Sequence, residues 1–555
     1  MIIRVISMRE LLRALTVFAV MAFALAIQFR VQLSTGFNLL YGDSFDATIV
    51  ATILEHWSNV FSGSSSWHTL NYFYPHAKTL GQTDGYFLAG IIYTILKVVG
   101  LDPFFTSELT NVVIRAIGFC FFFLFARKAC GISFWYAVLG AVLFVLSNNL
   151  TAHGQRLQLA TVSFVPVMAM LLYWAFQRLY SDSKSGFALI ASIAGMFLGA
   201  WSITCFYITW FFIYFFVVFV FCLAISCTRA QILEFWSRIK FHRVGVLFCL
   251  AVCIASLVPL LSVYLVKASE TGMRAFSDSF SNAATIEGVL QVGRENLMFG
   301  ELYAKFLGVV SPNYVPSGEY YNTGIAPILF VLAAAGAVCV FRSAGVLKGI
   351  PLWQALVLAT IITWLGVMRF GPVSAWYIVY HLFPGAKALN VINAYQLFLS
   401  VPIILIALKY LCACGKRLPT AVIFILTVLL VTEEINTGYT QLVRKSEYAK
   451  VDGLQSPPSQ CTAFYVSGWV GQDSMTPMAI WINNYYGHNV SAMLIAELIH
   501  MPTLNGVASF NPKDWNFGFP NNADYDQRVK AYSDSYALTQ VCKLDLNAKT
   551  WSLAW

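Results

Sequence analysis

The chain has 555 residues, of which 58% are hydrophobic and only 11% charged, too few charges to wet a soluble protein that ordinarily carries roughly 25%. Net charge is +9, but residues 436–555 hold 8 basic against 9 acidic side chains, so the excess sits in short loops between apolar runs, a placement that argues against nucleic acid as the partner. There is no P-loop, Gly-rich dinucleotide turn or nucleophile elbow, which argues against a cytoplasmic nucleotide-driven machine.

Eleven runs are nearly free of charge: Ala14–Phe29, Val113–Ala126, Trp135–Leu146, Leu159–Phe176, Phe187–Thr204, Tyr207–Ile225, Val244–Val266, Ile325–Phe341, Leu352–Met368, Val391–Leu408 and Ala421–Val431. Helices satisfy their own backbone in lipid, so the pattern predicts a polytopic α-helical membrane protein of about eleven spans and excludes a β-barrel. Arg4, Arg9 and Arg13 ahead of Ala24-Leu25-Ala26 resemble a signal peptide, but ten further runs favour an uncleaved first span. Placing the basic loops (Arg127-Lys128, Arg178 with Lys184, Arg229 to Arg243, Arg342 with Lys348, Lys409 with Lys416-Arg417) on the cytoplasmic side puts the N-terminus inside. Segments 30–108, 267–322 and 370–390 and the C-terminal region then lie outside the cytoplasm. Segment 85–101 must not span, or the charge map inverts, so it is expected to lie in or dip into the outer leaflet.

The first outer loop, 30–108, opens on Asp43 and Asp46. Helical spacing of Ile49, Val50, Ile53, Leu54, Trp57, Val60 and Phe61 predicts a surface helix, with Thr48, Thr52, Glu55, Ser58 and Asn59 opposite. Such a helix is expected to lie flat on the membrane with Trp57 at the headgroups, ending at Gly63-Ser64-Ser65-Ser66. A carboxylate at its head can act as a general base on a hydroxyl at the interface; equally, Asp43 can cap the helix.

Arg115 lies within a span, where it needs a partner: a lipid phosphate, a carboxylate or a watery cleft. His153 and Arg156 fall in a short outer loop near the headgroups, where Arg suits bidentate phosphate contact or simply snorkels. Arg369 and His381 are weaker candidates of the same kind. The second outer loop, 267–322, alternates both signs of charge and reads as mostly solvated, with Glu319 and Tyr320 placed to line a cleft. No His/Cys/carboxylate cluster has metal spacing. Domain organisation is then 1–435 transmembrane, 436–459 linker with Ser456-Pro457-Pro458-Ser459, and 460–555 a small mixed α/β domain. In that domain Cys461 and Cys542 pair in an oxidising compartment, or stay free and buried.

Five segments recur in a familiar order. They are Gly42-Asp43-Ser44-Phe45-Asp46, Tyr74-Pro75 followed by Thr79-Leu80, His153-Gly154-Gln155 with Pro166 beyond, Pro384-Gly385, and Pro502-Thr503-Leu504-Asn505-Gly506. Together they resemble the GT-C superfamily of integral membrane glycosyltransferases of the bacterial, polyprenyl-phosphate-sugar-dependent type. The resemblance implies a multi-pass protein of a bacterial inner membrane with an extracytoplasmic C-terminal domain. It implies transfer of a sugar from a polyprenyl-phosphate donor to a cell-envelope glycan, glycolipid or protein, with inversion. Asp43, with Asp46, would deprotonate the acceptor; Arg115, His153 and Arg156 would hold the donor phosphate; a divalent metal is compatible with the scheme. Two other classes fit the same composition, a transporter or flippase for a lipid-linked substrate and a non-catalytic membrane assembly protein.

Overall fold

Each apolar run coincides with a helix in the computed structural model, which describes residues 8–316, 321–342, 350–415, 417–468 and 483–555. In chain order the first half comprises α1 (Met8–Gln28), β1 (Leu39–Leu40), α2 (Asp46–Phe61), α3 (Phe87–Lys97), α4 (Pro103–Lys128), α5 (Phe134–Thr151), α6 (Leu157–Leu179), α7 (Lys184–Thr204), α8 (Phe206–Ser226), α9 (Arg229–Phe241) and α10 (Arg243–Thr271). The second half comprises α11 (Pro327–Arg342), α12 (Pro351–Val367), α13 (Ile392–Cys414), α14 (Thr420–Glu433), β2 (Leu442–Val443), α15 (Arg444–Val451), β3 (Ala463–Ser467), α16 (His488–Ile499), α17 (Tyr525–Ser535), β4 (Val541–Asp545) and β5 (Thr550–Leu553). Among the described residues eight of these helices (α1, α4 to α8, α10 and α13) are long and apolar enough to cross a membrane, the architecture of a multi-pass helical membrane protein. The remaining three apolar runs fall on the shorter helices α11, α12 and α14.

Helix starts and stops follow local chemistry. Pro103 opens α4 behind Asp102, whose carboxylate accepts from the Phe104 and Phe105 N–H groups at 3.1 and 3.0 Å. Arg127 and Lys128 occupy the last turn of α4, where they complement its exposed carbonyls. The centre of the bundle is α13, buried at every position from Tyr395 to Leu408. At Gly336 a Cβ would meet the Ile406 carbonyl at 2.4 Å, so glycine is what lets α11 approach α13 so closely. By contrast α10 leaves Leu247, Phe248, Leu250, Ile254 and Val258 exposed, an apolar flank suited to lipid.

The predicted helix of the first loop forms as α2, and Gly63, at φ +81°, ends it with the Ser64 N–H reaching back to the Asn59 carbonyl. Its expected environment is different. Both faces are covered, and Trp57 is buried rather than placed at headgroups. The Trp57 ring lies against Gly90 and 5.0 Å from the Phe87 ring, and its indole N–H donates to the Gly85 carbonyl. Glu55, on the supposedly solvated face, accepts from Tyr93 and pairs with Lys97 at 2.8 Å on α3. The polar face is buried because polar partners meet it there. At about 1.5 Å per residue the 11 residues of α3 reach roughly 16 Å, too short for a bilayer, and α3 packs on α2, α4 and α7 instead.

The C-terminal region holds a three-stranded sheet in the order β3-β4-β5, with β3 parallel and β5 antiparallel to β4. Cys461 and Cys542 form a disulfide with Cα atoms 5.7 Å apart. The segment expected as a linker is tied down: β2 pairs with β1, Leu39 opposite Val443, and α15 follows at once. Backbone bonds join the region to the first loop, from Phe73 N–H to Asn505, from Tyr74 N–H to Thr503, and from Thr503 N–H to Asn71.

At the centre of that contact is Glu497 on α16, with no solvent exposure. One oxygen accepts from the Asn71 N–H at 2.9 Å and lies 3.3 Å from His56 Nδ1; the other accepts from the Asn59 amide at 3.0 Å. Replacing Glu497 by Ala strands these donors in a dry contact, at about 1–3 kcal/mol for each unsatisfied group. Thermal denaturation of the detergent-solubilised protein should show Glu497→Ala several degrees less stable than Glu497→Gln, which keeps acceptor and shape. Equal melting of the two would show that Glu497 does not lock the contact.

Candidate functional site

Gly85 sets the position of the acid that precedes it. A Cβ there would meet the Ile203 carbonyl at 2.3 Å, so only glycine lets this loop lie on the end of α7. The next residues fasten the loop: Tyr86 N–H donates to the Thr204 carbonyl and Leu88 N–H to the Thr204 hydroxyl at 2.9 Å. Asp84 is thereby brought to the start of α8, where its Oδ1 accepts from the Phe206 N–H at 3.3 Å. That N–H is one of the unsatisfied donors at a helix N-terminus and favours negative charge. Burial outweighs it and pushes the Asp84 carboxyl up to about 7.

Asp84 opens onto a cleft of about 440 Å³ at the end of the bundle formed by the start of α8, the end of α10 and the approach to α13. The first loop contributes Asp46, residues 81–84 and Tyr86, and the C-terminal region contributes Tyr486 and residues 507–510. Four charged side chains line it: Asp46, Asp84, Arg156 and Arg274. Asp46 Oδ2 pairs with Arg156 Nε at 2.9 Å. Arg274 donates to the Ser509 carbonyl at 2.9 Å and lies 4.6 Å over the Phe510 ring, and among the described residues no carboxylate pairs with it. The Ser509 N–H in turn donates to the Gln82 carbonyl, so residues 507–510 bridge both outer loops across the cleft. Rings of Tyr86, Tyr207, Tyr264, Tyr486 and Phe206 and amides of Gln82, Gln158 and Asn390 complete the wall.

The candidates read from sequence divide. Asp46 and Arg156 line the cleft together. Asp43 is turned to the backbone: its Oδ1 accepts from the Phe45 and Asp46 N–H groups at 2.8 and 2.9 Å, the capping geometry, and burial followed by the Asp46 charge raises its pKa. Arg115 is fully buried, its guanidinium donating to the carbonyls of Val145 and Leu150 at 3.2 and 2.9 Å. It satisfies the end of α5 and lies outside the cleft lining. His153 is also buried, and burial with the neighbouring Arg156 pushes its imidazole down to about 3, so it is neutral and holds no phosphate by charge. Arg369 stacks 5.9 Å from the Phe280 ring, and exposed His381 rests 4.5 Å from the Tyr377 ring; neither lines the cleft. Glu319 and Tyr320 lie outside the described residues.

Sequence reading passed over Asp84 and grouped Arg274 with solvated charges. A signal for Asp84 existed: it is the sole carboxylate between Glu55 and Asp102, followed directly by glycine, in a loop rich in aromatics. Among the described residues no three His, Cys, Asp or Glu side chains converge as a metal group. No protein-family model matches the chain, and no curated protein sequence matches it.

The Asp84 shift has a pH consequence. A carboxyl whose folded pKa stands near 7, above its usual 3.8, binds its proton more tightly folded than unfolded. Its penalty is absent below about 4, grows as pH rises toward 7, and is constant above. Asp84→Asn should therefore raise the melting temperature at pH 8 and leave it unchanged near pH 4. A stability difference that does not depend on pH would contradict the assignment.

Proposed function

We propose that the cleft transfers a sugar from a polyprenyl-phosphate donor to an acceptor hydroxyl, with inversion, outside the cytoplasm. The observation that carries this reading is the presence in one cleft of an acid, Asp84, and an arginine, Arg274, neither of which has an oppositely charged partner among the described residues, set among rings and amides. Rings and amides of this kind suit the faces and hydroxyls of a sugar. The cavity sits at the ends of lipid-spanning helices, where a headgroup enters while its chain stays in the bilayer.

In this scheme Asp84 takes the proton of the acceptor hydroxyl, whose oxygen attacks the anomeric carbon. The carbon–oxygen bond to phosphate breaks, and its electron pair leaves on the lipid phosphate. Arg274 stabilises that developing charge, and it is held in advance by the Ser509 carbonyl and Phe510 ring. Arg156 is the second cation, oriented by Asp46. A pKa near 7 suits a general base at neutral pH, because the group is partly ionised yet still basic. Asp43 acts indirectly, by capping α2 and so fixing Asp46.

The test is transfer from a synthetic polyprenyl-phosphate sugar by protein in proteoliposomes, with glycan analysis of a deletion strain to identify the acceptor. Asp84→Asn is expected to lower transfer about 10²–10⁴-fold. Arg274→Gln should cost about 10²–10³-fold, and Asp43→Asn far less. Full activity in both Asp84→Asn and Arg274→Gln would remove this mechanism. Passage of an intact lipid-linked substrate across the vesicle without transfer would make the protein a flippase.

A further inference from the structure

At the far end of the bundle, α9 joins α8 to α10 through two residues on one side and one on the other. Both neighbours are membrane-crossing helices by length and apolarity, so α9 is held at the level where the bilayer ends. It starts in a capping box, Thr228 with Gln231, which makes it a defined helix rather than a loose connection. No residue of α9 is buried in the protein.

Its pattern is amphipathic. Ile232, Phe235, Trp236 and Ile239 fall at i, i+3, i+4 and i+7, on one face. Trp236 is 55% exposed and Leu233, beside it, 59%. On a water-soluble surface such a stripe needs a cover. Arg229 and Lys240 flank the stripe and Arg243 follows at the start of α10, all three exposed. The turn between α6 and α7 adds Lys184, whose Nζ lies 4.5 Å over the Phe241 ring, and Arg178. Against these stand Glu234 and Asp182, and Asp182 already faces Arg238 at 3.6 Å. The patch is apolar inward and strongly positive at its rim.

We infer that α9, with the α6–α7 turn, is a binding seat for anionic phospholipid headgroups of the protein's own bilayer. The occupant follows from two facts: the helix is placed by its neighbours at the bilayer surface, and its rim is positive where that surface is negative. The apolar stripe enters the headgroup boundary, and Arg229, Lys240 and Arg243 reach the phosphates by snorkelling. Each basic residue near an anionic surface contributes a factor on the order of five in partitioning. The seat rests on different observations from the transfer reaction proposed above, and its test does not depend on that reaction.

The test uses the full-length protein in nanodiscs containing equal fractions of brominated phosphatidylglycerol or brominated phosphatidylcholine. The Trp236 signal is the fluorescence of the wild type minus that of Trp236→Phe. It should be quenched several-fold more by the anionic lipid. The triple variant Arg229→Gln, Lys240→Gln, Arg243→Gln should bring the two lipids level while quenching by phosphatidylcholine persists, because the apolar face still lies in the interface. Equal quenching by both lipids in the wild type would overturn the charge selectivity. Absence of quenching by either would overturn the membrane seat and leave a protein partner as the cover of Trp236.

Discussion

A carboxylate with no route to water joins the two halves of this protein. Glu497 is acceptable in its dry position because Asn59, Asn71 and His56 surround it, and those three residues come from the first loop. The dependence is mutual. The loop's backbone N–H at Asn71 and amide at Asn59 are satisfied only while α16 is docked. One interaction therefore couples the C-terminal region to α2, and α2 carries Asp46 into the cleft. The roof at residues 507–510 follows α16 closely in the chain, so the same docking sets the roof over the same cleft.

The cleft is built from pieces distant in sequence, and each is held by backbone bonds rather than by side-chain packing alone. Asp84 depends on Gly85 against Ile203, and Arg274 on the Ser509 carbonyl. The turn before α13 is set by the Pro384 carbonyl accepting from Trp210, with Gly385 at φ +84°. Asn390 then donates its N–H to the Tyr207 hydroxyl at 2.6 Å. Such anchoring leaves the charged groups with little freedom to collapse onto one another. That is how an acid and an arginine without ion-pair partners among the described residues persist in one cleft, where flexible side chains would pair with each other.

Membrane class and helix positions were legible because apolar length is a direct consequence of bilayer thickness. The start of α2 and its glycine stop followed from equally local rules, whereas the Cys461–Cys542 pair, 81 residues apart, was one of two readings left open by compartment alone. The environment of α2 was not legible. Its polar stripe of Thr52, Glu55 and Asn59 has the same pattern whether it meets water or buried partners such as Lys97 and Glu497. Two of the site candidates lie away from the cleft chemistry for a related reason, while Asp46 and Arg156 line it. Arg115 and Asp43 carry the right chemistry, but nearby backbone groups claim them, helix-end carbonyls in one case and N–H groups in the other. Sequence shows which residues could react, whereas the local backbone decides which are already spoken for.

The two ends of α8 show how far this logic reaches. Its first residue, Phe206, offers an N–H to Asp84 in the cleft, and its last turn delivers the chain to α9. The helix has 21 residues, about 32 Å at 1.5 Å per residue, close to the thickness of the hydrocarbon core. If α9 is fixed at one surface by its aromatic face and basic rim, the length of α8 sets the height of its N-terminus at the other. The position of Asp84 relative to the opposite headgroups is then governed by a rigid rod anchored at its far end. In the transfer reaction proposed above, the substrate would enter from those headgroups, and the depth at which α8 starts would determine whether its phosphate, rather than its chain or its sugar, comes level with Arg274.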